Sequence, residues 1–264
     1  MTAFGAYVNE ATLANEEVFD EIRSRCSGEG ARILVDTNPD HPEHWLLKDY
    51  IENDDESIIS YRFTLDDNTF LSERYRRNMK KTTPTGMFYE RNIDGKLVSG
   101  DGVIYSDFNI NKHKINKAEL SQIRMSRYFC GVDWGYGHYG AIVVIGVDDE
   151  GNYYIVEEHA HQYKEIGEWV SIAKEVISKY GDIPFYADSA RPEYVYRFNE
   201  EGINTINANK TVILGIETVA TLMKSDKFFV NYDDCHRFRE EIYNYVWHSS
   251  KDEPAQEFDD VMDA

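Results

Sequence analysis

Two short stretches decide the reading of this chain: Tyr128-Phe129-Cys130-Gly131-Val132-Asp133-Trp134-Gly135 and Pro184-Phe185-Tyr186-Ala187-Asp188-Ser189-Ala190. Each is a largely apolar run of strand length that ends on an aspartate and a small-residue turn. Such runs are the mark of strands buried in an α/β sheet. Ligands of these sheets gather at the carboxyl ends of the strands. Asp188 follows Asp133 by 55 residues, with a helical pattern between them, so the two strand ends can be neighbours. A third acidic group, Asp259-Asp260 with Asp263, opens a helix near the end of the chain. Asp260 and Asp263 share a face at i,i+3, as do Asp259 and Asp263 at i,i+4.

Working outward, strands are predicted over 141–147 and 153–157. They are joined by Asp148-Asp149-Glu150-Gly151-Asn152, an acidic-Gly hairpin turn. A helix over 166–179 puts Ile166, Trp169, Val170, Ala173, Val176 and Ile177 on one stripe. Further helices are expected over 215–223 and 235–247, with a strand over 228–230 between them. A three-strand meander, a helix, a strand and then helices are compatible with the ribonuclease-H-like fold. Upstream, residues 2–8 read as a short buried strand. Residues 16–25 read as a helix capped by Asn15 and ended by Gly28 and Gly30. Residues 31–35 form a second strand running into Asp36-Thr37-Asn38-Pro39. Strand, helix, strand with polar exits is again the pattern of a parallel sheet. Residues 57–99 read as a connector with a basic helix over 70–80, carrying Arg74, Arg76, Arg77, Lys80 and Lys81.

Three carboxylates converging from separate elements repel one another, and divalent cations relieve that. All-oxygen ligation favours Mg²⁺ or Mn²⁺. Two such ions about 3.5–4 Å apart activate a water and stabilise the leaving 3′-oxygen of a phosphodiester. The plainer alternative is that each Asp caps a helix or sits in a turn. Composition narrows the choice. The 264 residues carry 28 Lys+Arg against 48 Asp+Glu, a formal charge of −20. That excludes a simple electrostatic sponge for nucleic acid and a protein held on anionic lipid. It leaves room for a local basic groove or an acidic pocket that needs metal. Cys26, Cys130 and Cys235 form no CxxC pair, which fits a reducing compartment. There is neither a signal-peptide pattern nor a membrane-length apolar run, so no membrane partner is expected.

At this point the motifs become recognisable. Gly131-Val132-Asp133-Trp134-Gly135, Tyr186-Ala187-Asp188-Ser189-Ala190 and Asp260-Val261-Met262-Asp263-Ala264 resemble the three acidic motifs of the large terminase subunit of tailed bacteriophages. Gly100-Asp101-Gly102-Val103-Ile104-Tyr105 resembles the opening of that family's nuclease domain, and Thr85-Gly86-Met87-Phe88-Tyr89-Glu90-Arg91 the segment before it. The resemblance implies an α/β chain: a ribonuclease-H-like nuclease domain over 99–264, truncated at its last helix. It is preceded by a partial P-loop-type ATPase segment over 1–60 and a connector over 61–98. It implies Asp133, Asp188 and Asp263 as catalytic metal ligands for Mg²⁺ or Mn²⁺, with Asp260 beside them. Asp260 stands where many relatives carry a His, which changes charge and pH response there. Lys210 resembles a position near the active site where a cation meets the scissile strand, and Arg191 is a second candidate for DNA contact.

Tyr7-Val8-Asn9-Glu10-Ala11 resembles the family's Walker B strand and catalytic Glu, with Asn9 where an Asp usually supports Mg²⁺. Asp36-Thr37-Asn38-Pro39 resembles its coupling motif, so Glu10, Thr37 and Asn38 read as an ATPase remnant. No GxxxxGK[ST] occurs in the sequence. Without that loop no backbone cradle or Lys meets the β-phosphate. The expectation is that this chain alone does not hydrolyse ATP, which belongs to the intact motor. The Walker A half lies either in a separate chain or in sequence missing from a fragment. The implied partners are double-stranded DNA, a small terminase subunit and the portal protein, in the cytoplasm of an infected bacterial host at the prohead portal. Two alternatives stay open: another ribonuclease-H-like nuclease of transposase or resolvase type, and a non-catalytic terminase remnant.

Other residues carry two readings each. Glu157 is an extra ligand or an exposed strand-end acid. His138 contacts phosphate or water, or is an ordinary loop His. His159 and His161 are a poor zinc pair without further soft ligands, and His41 and His44 read as packing or surface groups. The basic face of 74–81 and the Lys112, Lys114, Lys117 run either face DNA phosphates or water.

Overall fold

Gly5–Val8 (β1) and Arg32–Val35 (β2) pair in parallel, Gly5 opposite Arg32 and Val8 opposite Val35. The crossover between them is Glu16–Arg25 (α1), whose Asn15 side chain accepts from Glu17 N–H at 2.9 Å. This is the predicted strand-helix-strand, but the strands are not buried as expected. Tyr7 is 63% and Leu34 65% exposed, because among the described residues the sheet has only these two strands. The computed structural model describes all residues except Met1, Glu43, Asp54 and Ser250. It divides into one unit of residues 1–100 with 250–252, and a second of 101–249 with 253–264. The first unit also holds Glu73–Thr82 (α2), displaced by three residues from its expected start by the Ser72 cap, and Met87–Asn92 (α3). Its core is small: Ala11, Phe19, Leu46, Leu47, Met87, Phe88 and Ile93, with Phe19 against the rings of Trp45 and Tyr50.

The second unit begins with Ile110–His113 (α4), Lys114–Ile115 (β3) and Lys117–Leu120 (α5). Then comes the meander: Met125–Asp133 (β4), Gly140–Asp148 (β5) and Tyr153–His161 (β6). The β5–β6 turn is the expected hairpin. Asp148 Oδ1 accepts from the N–H groups of Glu150 and Asn152, and Gly151 takes a positive φ. Ile166–Tyr180 (α6) lays Trp169, Val170, Ala173 and Val176 on the sheet. Phe185–Ala187 (β7), Pro192–Glu200 (α7), Thr205–Asn207 (β8), Val212–Lys224 (α8), Phe228–Asn231 (β9), His236–Glu241 (α9) and Asp260–Asp263 (α10) complete it.

The strands form one seven-stranded sheet in the order β3-β9-β6-β5-β4-β7-β8. β4–β5–β6 are antiparallel, while β7 runs parallel to β4 and β8 parallel to β7. The core is continuous through Cys130, Val132, Ile142, Val144, Trp169, Phe185 and Phe198. One expected helix is cut short. The segment predicted helical to residue 247 leaves the helix at Glu241, whose carbonyl accepts from both Asn244 and Tyr245 N–H. The buried Tyr245 and Trp247 then lead the chain into bridges with Val103 and Pro254. Burial of these rings outweighs the helical pattern. Among the described residues no helix is long and apolar enough to cross a membrane.

Candidate metal centre

Pairing of β4 with β7 brings two of the predicted acids together. Val132 lies opposite Ala187, and Asp188 N–H continues the ladder to Val132 O at 3.0 Å. Asp133 and Asp188 therefore leave the carboxyl ends of adjacent parallel strands. Trp134 ties the two ends, donating from Nε1 to Asp188 O at 2.9 Å, with its ring edge-on to Tyr194 and Phe198. The third acidic element, α10, packs against β4, β5 and β6. Its approach depends on Gly131: a Cβ there would fall 1.6 Å from the Ala264 carbonyl oxygen.

Asp133, His138 and Asp260 each offer a ligand atom, and these atoms lie within 4.8 Å of one another. His138 Nδ1 is 3.4 Å from Asp260 Oδ1. Asp260 is buried; His138 is exposed. Burial, then the charges of Asp263 and Asp188, push the Asp133 carboxyl up to about 7. Burial and the neighbouring Asp259, Asp260 and Asp188 push Asp263 up to about 6, against a 2.6 Å hydrogen bond from Tyr245 OH. So Asp263 and Asp188 are electrostatic neighbours of Asp133, while Asp260 and His138 are its close donor partners. Two carboxyls that titrate near neutrality mark a site short of positive charge. The carboxylate oxygens of the set fit Mg²⁺ or Mn²⁺, while the His138 imidazole is not a donor type that those ions prefer.

One wall of this site was not legible beforehand. Arg237 on α9 reaches Asp260 Oδ2 with Nη2 at 2.9 Å and lies 4.2 Å over the Tyr139 ring. Glu158 on β6 accepts the backbone N–H groups of Arg237 and Phe238 at 2.5 and 3.0 Å, fixing the start of α9. A shallow cleft opens between His138, Tyr139, Gln162, Arg237, Phe258 and Asp260. Arg237 lies inside a segment that the sequence reads only as helix, in His236-Arg237-Phe238-Arg239, and nothing in that pattern singles it out.

The remaining predicted groups sort clearly. Lys210 Nζ lies 3.9 Å from Asp188 Oδ1, beside the site. Arg191 sits at the start of α7, 3.8 Å from Glu193 and over the Tyr194 ring. Glu157 is half-buried and paired with Lys179, Tyr180 and His159, so it is neither an exposed strand-end acid nor part of the donor group around Asp133. Lys112 and Lys117 are held by Asp226 and Asp234, and Lys114 lies over the Tyr232 ring. Lys80 pairs with Asp66. In the first unit Glu10, Thr37 and Asn38 come together at the ends of β1 and β2. Asn38 Nδ2 donates to both Glu10 oxygens at 3.2 and 3.0 Å, and the Thr12 and Thr37 hydroxyls meet at 2.6 Å. Glu10 takes a left-handed backbone, with its N–H on Asp36 Oδ1 at 2.9 Å.

Residues 130–264 match the family model described as the terminase RNaseH-like domain. Residues 1–112 match the N-terminal model of the terminase large subunit, T4likevirus-type. No curated protein matches the sequence. The large terminase of a thermophilic bacteriophage, solved in complex with ADP, superposes with a TM-score of 0.88 at 25% identity. That match covers 100% of this chain and 68% of the other. The P22 large terminase nuclease domain gives a TM-score of 0.51 at 18% identity, covering 62% of this chain and 89% of that one. The large terminase nuclease domain of bacteriophage SPP1, solved with bound Mn, gives 0.50 at 20%, covering 61% and 94%. The last two are likenesses of fold.

Proposed function

The chain belongs to the terminase large-subunit family, and from that membership we propose that residues 99–264 form a metal-dependent endonuclease that cuts double-stranded concatemeric DNA during packaging. One observation carries the reading: Asp133, Asp260 and His138 donors converge within 4.8 Å, with the charges of Asp188 and Asp263 raising Asp133. Asp133, Asp188, Asp263 and Asp260 would hold Mg²⁺ or Mn²⁺. Bound there, the ions supply an activated water and neutralise the leaving oxygen of the phosphodiester. The chain's own part is placement. The β4–β7 pairing fixes two acids, Trp134 locks their strand ends together, and α10 presents the others. Lys210, beside Asp188, offers a cation to a scissile phosphate, and Arg191 is placed for the same strand. With a formal charge of −20, DNA contact is local and leans on the metal, which reverses the local sign.

Residues 1–60 are assigned to the end of the ATPase domain and 61–98 to the connector. The Asn38–Glu10 contact supports this by joining the catalytic-Glu and coupling-motif segments. ATP turnover belongs to the motor that includes a P-loop, supplied by further sequence or a separate chain. Small terminase subunit and portal protein complete the assembly, at the prohead portal in the host cytoplasm. The test is supercoiled plasmid incubated with the chain. Nicking or linearisation in Mn²⁺, none in EDTA and none with Asp133→Ala is the expected result. Cutting by Asp133→Ala at the parent rate would overturn the assignment.

A further inference from the structure

A carboxylate outside the acidic cluster is fully buried in the second unit. The Glu241 side chain is 0% exposed. Its Oε2 accepts the backbone N–H groups of Val261 at 2.8 Å and Met262 at 3.2 Å, in the first turn of α10. Its Oε1 lies 2.5 Å from Arg237 Nε, and the same guanidinium holds Asp260 through Nη2. Four residues on, Tyr245 donates to Asp263 Oδ1 while its ring stacks on Tyr105 at 5.6 Å. The 237–245 segment thus holds α10 by backbone and by both of its acidic side chains.

A four-residue helix has no stability of its own, and its first N–H groups have no partner within it. Something outside must supply both. A buried carboxylate is costly unless it is hydrogen-bonded and its charge is paired. Here the α10 N–H groups fill Oε2 and the Arg237 guanidinium stands as counter-charge beside Oε1, although burial still pushes the carboxyl up to about 7. We propose that Glu241 is a positioning residue of the metal centre: its buried carboxylate docks α10 and so sets where Asp260 and Asp263 stand against Asp133. The proposal rests on the nuclease reading above. Glu241 donates nothing to an ion itself. It acts through backbone, with Arg237 and Tyr245 setting the rotation of the two acids it delivers. Outer groups of this kind cost roughly 10–100-fold in metal affinity when removed.

The experiment is a Mn²⁺ titration of the full chain, reading free Mn²⁺ by electron paramagnetic resonance. The variants are Asp133→Ala, Glu241→Ala, Glu241→Gln and Tyr245→Phe, each checked by circular dichroism. Glu241→Gln keeps an oxygen for the Val261 and Met262 N–H groups and loses the charge facing Arg237. It should weaken Mn²⁺ about 10-fold, against about 100-fold for Glu241→Ala. Tyr245→Phe should weaken it several-fold with an unchanged spectrum of secondary structure. Nuclease rate at saturating Mn²⁺ should recover in Glu241→Gln, a split that loss of fold would not produce. Parent-like Mn²⁺ affinity in Glu241→Gln and Tyr245→Phe would overturn the proposal, even if Glu241→Ala fails to fold. If the parent binds no Mn²⁺ that Asp133→Ala removes, the nuclease reading itself fails and takes this one with it.

Discussion

The two sheets of this molecule are built from similar sequence signals and end in opposite conditions. β5 runs through the middle of seven strands, and Ile142 and Val144 are 0% exposed. Among the described residues β1 and β2 have only each other, and Leu34 is 65% exposed. Both sheets present polar groups at their strand ends, yet they hold them differently. At the end of β4 and on α10, Asp133 and Asp263 crowd each other and their acidic neighbours and rise toward neutrality. At the ends of β1 and β2, Glu10 is already satisfied by Asn38 in the open. The lesson concerns self-sufficiency. A large sheet can crowd like charges at its strand ends and hold them there, whereas a two-stranded sheet is marginal alone and keeps its polar groups paired at the surface.

The widest predicted gap between the regions is in activity. Asp133→Ala should lower plasmid nicking by at least about 1,000-fold, since metal coordination supplies several kcal/mol of barrier lowering. Glu10→Gln should leave nicking unchanged, and a nicking defect in it would break the separation of roles. The next gap is in stability. Ile142→Ala should cost about 2–5 kcal/mol and Leu34→Ala less than about 0.5 kcal/mol, measured by urea unfolding of the second and first unit. Similar losses at both sites would mean that the first sheet is as well supported as the second.

A pH experiment sharpens the contrast further. Asp133 and Asp263 have folded values raised to about 7 and about 6. Their stabilising contribution is full below the ordinary carboxylate range and is lost as pH rises through those values. The metal-free chain should therefore lose thermal stability in the second unit between about pH 4 and 7. Mn²⁺ at 100 times its Kd should restore about 2.7 kcal/mol at pH 7.5, with a smaller gain at pH 5. A metal effect equal at both pH values would contradict the electrostatic account. A modest effect is expected at Glu157, whose contacts with His159, Lys179 and Tyr180 hold its carboxyl far below its ordinary value. That stabilisation is present at neutral pH and lost as acid protonates the group. Glu157→Gln should cost about 1 kcal/mol at pH 7, a cost that disappears only in strong acid where the folded carboxyl itself protonates, and nothing in nicking.

What was legible in the sequence follows from range. The meander, α6 and the exits at Asp133 and Asp188 come from local periodicity, although β4 begins three residues before its apolar run and β6 continues four residues past its expected end, to His161. The short α9 was not legible, because its end is set by burial of Tyr245 and Trp247 and by bridges to Val103 and Pro254. Burial of β1 was overestimated because an apolar strand says nothing about what lies beside it. In the site, the acids announce themselves by position at strand and helix ends. Arg237, Glu241 and Tyr245 carry no such mark, since their roles exist only once α9 and α10 pack together. Glu241 in particular lies within the helix expected over 235–247 with nothing to mark it, and it is fully buried.

The central claim is that the ends of β4 and β7 with α10 form a divalent-metal centre. The most direct measurement is anomalous diffraction at the manganese edge from crystals soaked in Mn²⁺. A peak within coordination distance of Asp133, and shared with a carboxylate of Asp188, Asp260 or Asp263, is the predicted result. Strong peaks elsewhere with none at Asp133 would contradict it.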